Sequence, residues 1–119
     1  GTTQNEAEPN GSFAQANTVS TKGTTVSGFV SSSTDKDYFK VMVPAGATLS
    51  AVLTPPATSD FDLYVFNAAQ TQVAKSTKGT GLVDSASVKN TGAAQYYYIH
   101  VIAYSGASTT NGYKLKLTW

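Results

Sequence analysis

The chain has 119 residues, a length that suits one domain around one core. Charged residues make up only 13% of it, the net charge is +1, and eight lysines face seven acids with no arginine. That balance argues against a nucleic-acid surface and a polybasic membrane patch. The lack of cysteine removes disulfides, thiolate metal sites and a cysteine nucleophile.

In chain order, residues 1–23 are polar and broken by Pro9, Gly11 and Gly23. They read as an N-terminal linker or calcium-binding segment that opens on a linker-like Gly1-Thr2-Thr3-Gln4. The one helix-compatible piece, residues 12–16 with Ser12 as its cap, is too short to stand alone. From Thr24 the pattern changes to short alternating runs at 24–30, 37–43, 47–54, 61–66, 72–75, 83–89, 96–104 and 113–119. Turn signals separate them: Pro44-Ala45-Gly46, Pro55-Pro56, Gly79-Thr80-Gly81, Asn90-Thr91-Gly92 and Ser105-Gly106. Period two puts Phe39 and Val41 on one face with Val43. It groups Leu49, Ala51 and Leu53, then Leu63 and Val65, then Tyr97, Ile99 and Val101, and last Tyr113, Leu115, Leu117 and Trp119. Thirteen Ser and seventeen Thr stand where charge is usual, and 11% of residues are aromatic. The sum predicts an all-β, antiparallel sandwich of about eight strands over residues 24–119, preceded by the N-terminal extension. No apolar run is long enough to span a bilayer.

Chemistry has few carriers. His100, the sole histidine, sits mid-run with no G-x-S-x-G elbow elsewhere in the chain, which reads as a surface strand histidine rather than a catalytic base. Asp60 and Asp62 flank Phe61 and read as a strand entry, not as a hydrolytic pair. Four of the seven acids form two i, i+2 pairs, Glu6 with Glu8 and Asp35 with Asp37, and Asn10 continues the side of the first pair. In an extended chain such spacing aligns the side chains on one side. A converging set of hard oxygen ligands suits calcium, which needs neither His nor Cys. The plain alternative is solvated loop acids. On the run 96–104, period two aligns Tyr96, Tyr98, His100, Ile102 and Tyr104 opposite the core face. That stripe is a candidate for gripping an extended ligand, with Tyr98 and Tyr104 at its centre and Lys40 nearby.

These residues together resemble a known family. The order E-x-E-x-N (Glu6, Glu8, Asn10), Gly28, D-x-D-Y-F (Asp35 to Phe39), Pro44-Ala45-Gly46, D-F-D-L-Y-V (Asp60 to Val65), Tyr104-Ser105-Gly106 and Gly112-Tyr113-x-Leu115 is similar to the bacterial pre-peptidase C-terminal domain. That group includes the collagen-binding domains of clostridial collagenases. The resemblance implies a jelly-roll-like sandwich. It implies calcium ligands at Glu6, Glu8, Asn10 and Asp37, with Asp35 beside the position of the family's loop acid. It places tyrosines of the penultimate strand, here Tyr104, on a substrate surface.

The function expected on this basis is a non-catalytic, monomeric C-terminal accessory domain of a secreted peptidase. It would follow the catalytic domain in the same chain, bind calcium structurally and assist binding of insoluble, collagen-like protein. The alternative is a carbohydrate-binding module of a secreted polysaccharide-degrading enzyme.

Overall fold

A computed structural model describes residues 2–7, 10–30, 32, 35–107 and 112–119. It forms two five-stranded sheets packed face to face. β1 (Thr3–Asn5), β3 (Thr24–Gly28), β10 (Tyr113–Thr118), β5 (Thr48–Thr54) and β8 (Asp84–Lys89) lie side by side in that order in the first sheet. The second runs β2 (Asn17–Thr18), β4 (Lys36–Val43), β9 (Gln95–Ser105), β6 (Asp60–Phe66) and β7 (Gln72–Ser76). Apart from two parallel edge pairings, β1 on β3 and β2 on β4, the pairings are antiparallel. No helix among the described residues is long and apolar enough to cross a membrane.

The eight alternating runs are strands. Alternation places one face of each against the other sheet, and the aligned residues are sealed from solvent. Phe39, Val41, Leu49, Leu63, Val65, Ile99, Val101, Leu115 and Leu117 are all fully buried. Their inward rows run across the sheets in register, Phe39 beside Ile99 beside Val65, and Val26 beside Leu115 beside Leu53. One row ends on polar residues at both margins. In the second sheet Asp37 pairs with Val101, Val101 with Leu63, and Leu63 with Ser76.

The N-terminal segment, expected as a linker or calcium-binding segment ahead of the strands, carries two short strands of its own. It supplies an edge strand to each sheet, β1 and β2, joined by a single 3-10 turn at Phe13–Gln15. Ser12 stands at the cap position of that turn but makes no side-chain cap. Its hydroxyl bonds instead to the Gln15 side chain at 3.3 Å. Neither edge strand alternates apolar with polar residues, because each joins its sheet through backbone pairing. The turn between them lays the Phe13 ring over the outer face of the second sheet, 4.9 Å from Tyr38 and 5.2 Å from both Phe66 and Tyr98.

Candidate functional site

The first cluster gathers at one margin of the sandwich, where β3, β4 and β10 meet the N-terminal segment. Asp37 begins the inward alternation of β4 and is fully buried. It survives there because Tyr113, the first residue of β10, reaches across from the opposite sheet and donates its hydroxyl to Asp37 Oδ2 at 2.6 Å. Gly28, paired with Tyr113, leaves the room. A Cβ there would lie 2.5 Å from the Tyr113 oxygen and 3.0 Å from the Glu6 carboxyl carbon. Glu6 accepts the Phe29 backbone N–H on Oε1 and the Asn10 amide on Oε2, at 2.5 and 3.1 Å. Asn10, fully buried, also donates to Asn17 Oδ1 at 3.1 Å, and its backbone oxygen takes the Tyr38 N–H at 2.8 Å.

The acids therefore converge. Burial, then the charges of Asp37 and Glu6, the hydrogen bond to Asp37, and the charge of Asp35 drive the Tyr113 hydroxyl far above the ordinary tyrosine range. Asn10 Oδ1 is buried and has no hydrogen-bond donor among the described residues. Of the residues expected to hold calcium, Glu6 is hydrogen-bonded to Asn10, Asp37 to Tyr113, and the Asp35 charge acts on the same tyrosine, while Glu8 lies outside the described residues. Among the described residues, no group of three or more His, Cys, Asp or Glu is spaced to hold a metal ion. What they present is a set of side-chain oxygens that includes the buried Asn10 Oδ1.

The tyrosine face is not one stripe. Tyr96 is exposed and lies 4.9 Å beneath the Lys40 ammonium. Tyr98 is half-buried under Phe13. His100, expected at the surface, is only 9% exposed because neighbouring rings cover it. It stacks on Tyr38 at 4.3 Å with the rings 11° apart, and Tyr64 and Phe66 close its other sides at 5.9 and 6.1 Å. Burial first, and the Lys36 charge second, hold its pKa down to about 4. Its Nε2 is buried without a hydrogen-bond partner among the described residues, so its surroundings there are those of a packed ring, not of a base oriented by an acid. Ile102 is half-buried, in register with Lys36 on one side and Asp62 on the other.

Tyr104 stands apart, because the pairing of β6 with β9 shifts between Asp60 and Phe61. Asp60 pairs with Ser105 and Phe61 with Ala103, which leaves Tyr104 as the extra residue of a bulge. A bulge re-aims the side chain it carries, and Tyr104 is 78% exposed. It borders a cavity of about 260 Å³ shared with Asp60, Asp62 and Thr77.

Asp62 and its neighbours form a second acid cluster. Read from sequence as a plain strand entry, Asp62 is only 7% exposed on the outer face of β6. Desolvation, the charges of Asp60 and Asp84 and a hydrogen bond shared with the Asp60 carboxyl push its pKa up to about 6. Asp84, fully buried, accepts the Ser76 hydroxyl and the Lys78 N–H on Oδ1, both at 2.8 Å. The i, i+2 spacing that marked the other two acid pairs was present here too and was the available signal. No comparable signal marked Tyr113 or Asp84, each of which reads as an ordinary member of its strand.

Against known proteins, no family profile and no curated sequence matches the chain. Solved structures do. The chain is similar to the pre-peptidase C-terminal domain of collagenase from Bacillus anthracis, with a TM-score of 0.71 at 16% identity over 95% of this chain and 100% of that one. It is also similar to PliG from Aeromonas hydrophila, a periplasmic inhibitor of g-type lysozyme. There the TM-score is 0.55 at 15% identity over 87% and 96% of the two chains. The fold of the chain is thus that of a pre-peptidase C-terminal domain.

Proposed function

We propose that the chain is a non-catalytic accessory domain of a secreted peptidase, which holds bulky or insoluble protein for a catalytic domain in the same polypeptide. The observation that carries this reading is the end-to-end likeness to the collagenase domain. The enclosure of the lone histidine among Tyr38, Tyr64 and Phe66 agrees with it, because a general base must reach its substrate. Tyr104 supplies amphipathic contact area of the kind that grips a polypeptide at low entropic cost.

Calcium is part of the proposal. Glu6, Glu8, Asn10, Asp35 and Asp37 would hold it where the N-terminal segment crosses the sandwich margin. The ion would neutralise the converging carboxylates and tie that segment to β4 and β10. The spare Asn10 oxygen supports this assignment.

The test is retention on insoluble collagen, elastin and casein, with chitin and cellulose alongside, in calcium and in chelator. Retention on a protein matrix that Tyr104→Ala weakens about tenfold supports the reading. Retention on a polysaccharide alone assigns the domain to carbohydrate, and retention on none leaves it a structural spacer.

A further inference from the structure

The outer face of the first sheet has a chemistry of its own. Alternation turns Leu115 and Leu117 of β10 inward and Lys114 and Lys116 outward. Register carries that outward side across the strands. Ser27 lies beside Lys114 and Thr54, while Lys116 lies beside Val52 and Val52 beside Ser85. Apart from Val52 and Asn5, each outward residue of the five strands is a serine, a threonine or a lysine. No carboxylate stands among them, because Asp84, the one acid in these strands, is turned inward and fully buried. Lys114 accordingly rests on a hydroxyl, donating to Ser27 Oγ at 2.7 Å. Between β5 and β8 the face dips into a cavity of about 120 Å³ lined by Ser50, Ser85, Ala86 and Ser87. The outer face of the second sheet is the reverse, with rings and Asp62 set among its lysines.

We propose that this face binds an anionic polysaccharide, a chain of sugar hydroxyls that also carries sulfate or carboxylate groups. The lysines set the sign of the partner's charge. Lys114 and Lys116 rise from one strand about 7 Å apart, and Lys89 closes β8 at the sheet's edge. An ammonium on a flexible stem is a point charge, suited to an anionic group with no fixed angle of approach. The hydroxyls set the partner's chemistry, since Ser and Thr both donate and accept, as a sugar hydroxyl does. The cavity between β5 and β8 is several times the roughly 30 Å³ share of a water molecule, so it admits a substituent of the sugar ring. Other polyanions match less of the face. An acidic protein would anchor on aromatic or large apolar side chains, and Val52 is the sole apolar residue turned outward in these strands. A nucleic acid would look for rings to stack its bases or guanidinium groups to read them, and the outward residues include neither.

This inference goes beyond the accessory reading and uses the sheet opposite the one that carries Tyr104. The test titrates the whole chain with a heparin oligosaccharide, a neutral dextran oligosaccharide of similar length and poly-glutamate, each followed through the backbone amide signals. The heparin fragment is expected to move the signals of Lys114, Lys116, Ser85 and Ser87, and dextran to leave them. The response should fade as sodium chloride is raised, because exposed charges are screened. Replacing both lysines, Lys114→Gln with Lys116→Gln, is expected to weaken it about tenfold. Ser87→Asp, which sets a carboxylate at the cavity, serves as an independent second variant with the same expected direction, and dispersed spectra show that each variant is folded. No movement with heparin, equal movement with dextran, indifference to salt, or an unchanged response in both variants overturns the proposal. Poly-glutamate moving the same four signals at lower concentration than heparin overturns it as well, in favour of an acidic polypeptide. The matrix experiment reads Tyr104 and is separate. Retention on protein with no heparin response sinks this face alone, and a heparin response without retention on protein sinks the accessory reading alone.

Discussion

Two acid clusters sit at opposite margins of the same sandwich, and they are solved in opposite ways. Asp37 and Ser76 end one inward row of the second sheet. At the Asp37 margin Asp37 takes the Tyr113 hydroxyl on Oδ2, and Glu6 takes the Phe29 N–H and the Asn10 amide. At the Ser76 margin only Asp84 is so provided, through Oδ1, while Asp60 and Asp62 turn to a cavity. The first arrangement locks three segments together, the N-terminal strand, β4 and β10. The second leaves charge exposed to whatever enters. The two margins therefore differ in which described groups partner their carboxylates, cross-sheet and backbone donors at the first and a neighbouring carboxyl for Asp62 at the second.

The largest expected effect breaks the knot sterically. In Gly28→Ala the new Cβ meets the Tyr113 hydroxyl at 2.5 Å, and Tyr113 is fully buried and cannot swing clear. Urea unfolding should show a loss of about 3 kcal/mol. Unchanged stability would mean that the margin is loosely packed.

Calcium comes next. It should stabilise the chain by about 2.7 kcal/mol at a hundredfold excess over its dissociation constant, seen as a rise in melting temperature that chelator reverses. Glu8→Ala should abolish most of that gain and Asp62→Asn should leave it intact, which sharpens the contrast between the margins. A smaller loss, about 2 kcal/mol, is expected for Tyr113→Phe, which strips the donor from buried Asp37. Because Phe also frees the space that Gly28 guards, the double variant should cost less than the sum of the singles.

The sandwich was legible because alternation reports burial directly. Each residue of the core from Phe39 to Leu117 that the period-two runs marked is sealed. The meeting of Glu6 with Phe29 and of Asp37 with Tyr113 was not legible, because each joins segments that only the fold brings together. What covers an outer face was not legible. Tyr98 and His100 do alternate outward, but Phe13 arrives over that face from a turn far upstream. Nor does alternation reveal a bulge, so Tyr104 seemed to continue a row that it leaves. β1 and β2 escaped because edge strands of two and three residues need no apolar pattern. The cavity at Asp60 and Asp62 escaped because its walls come from β6, the end of β9 and the residue after β7, which only the fold brings together.

The smallest effect tests the open margin through pH. Asp62 titrates near 6 in the folded chain, against 3.8 for a free carboxyl. As pH falls from about 6 to about 4 the folded state takes up this proton before the unfolded state does, so this group adds stability on acidification. His100 does the reverse. Its folded value near 4 lies below the usual 6.5, so the unfolded state is protonated first and stability is lost over nearly the same interval. In the native chain the two trends oppose each other, and the stability profile between pH 4 and 6.5 should be shallow. Asp62→Asn removes the carboxylate that resists burial. It should stabilise the chain at pH 7 by about 1 kcal/mol, less than the full shift implies because the carboxyl opens on a solvent-accessible cavity that screens it. That advantage should shrink to nothing by about pH 4, exposing the steep acid loss due to His100. His100→Gln should instead leave a chain that gains stability as pH falls through 6. Chemical denaturation of the three proteins at half-unit steps of pH reads all of this. A variant Asp62→Asn no more stable than the native chain at pH 7 would show that the Asp60–Asp62 margin carries no electrostatic strain, and with it the contrast between the two margins would fall.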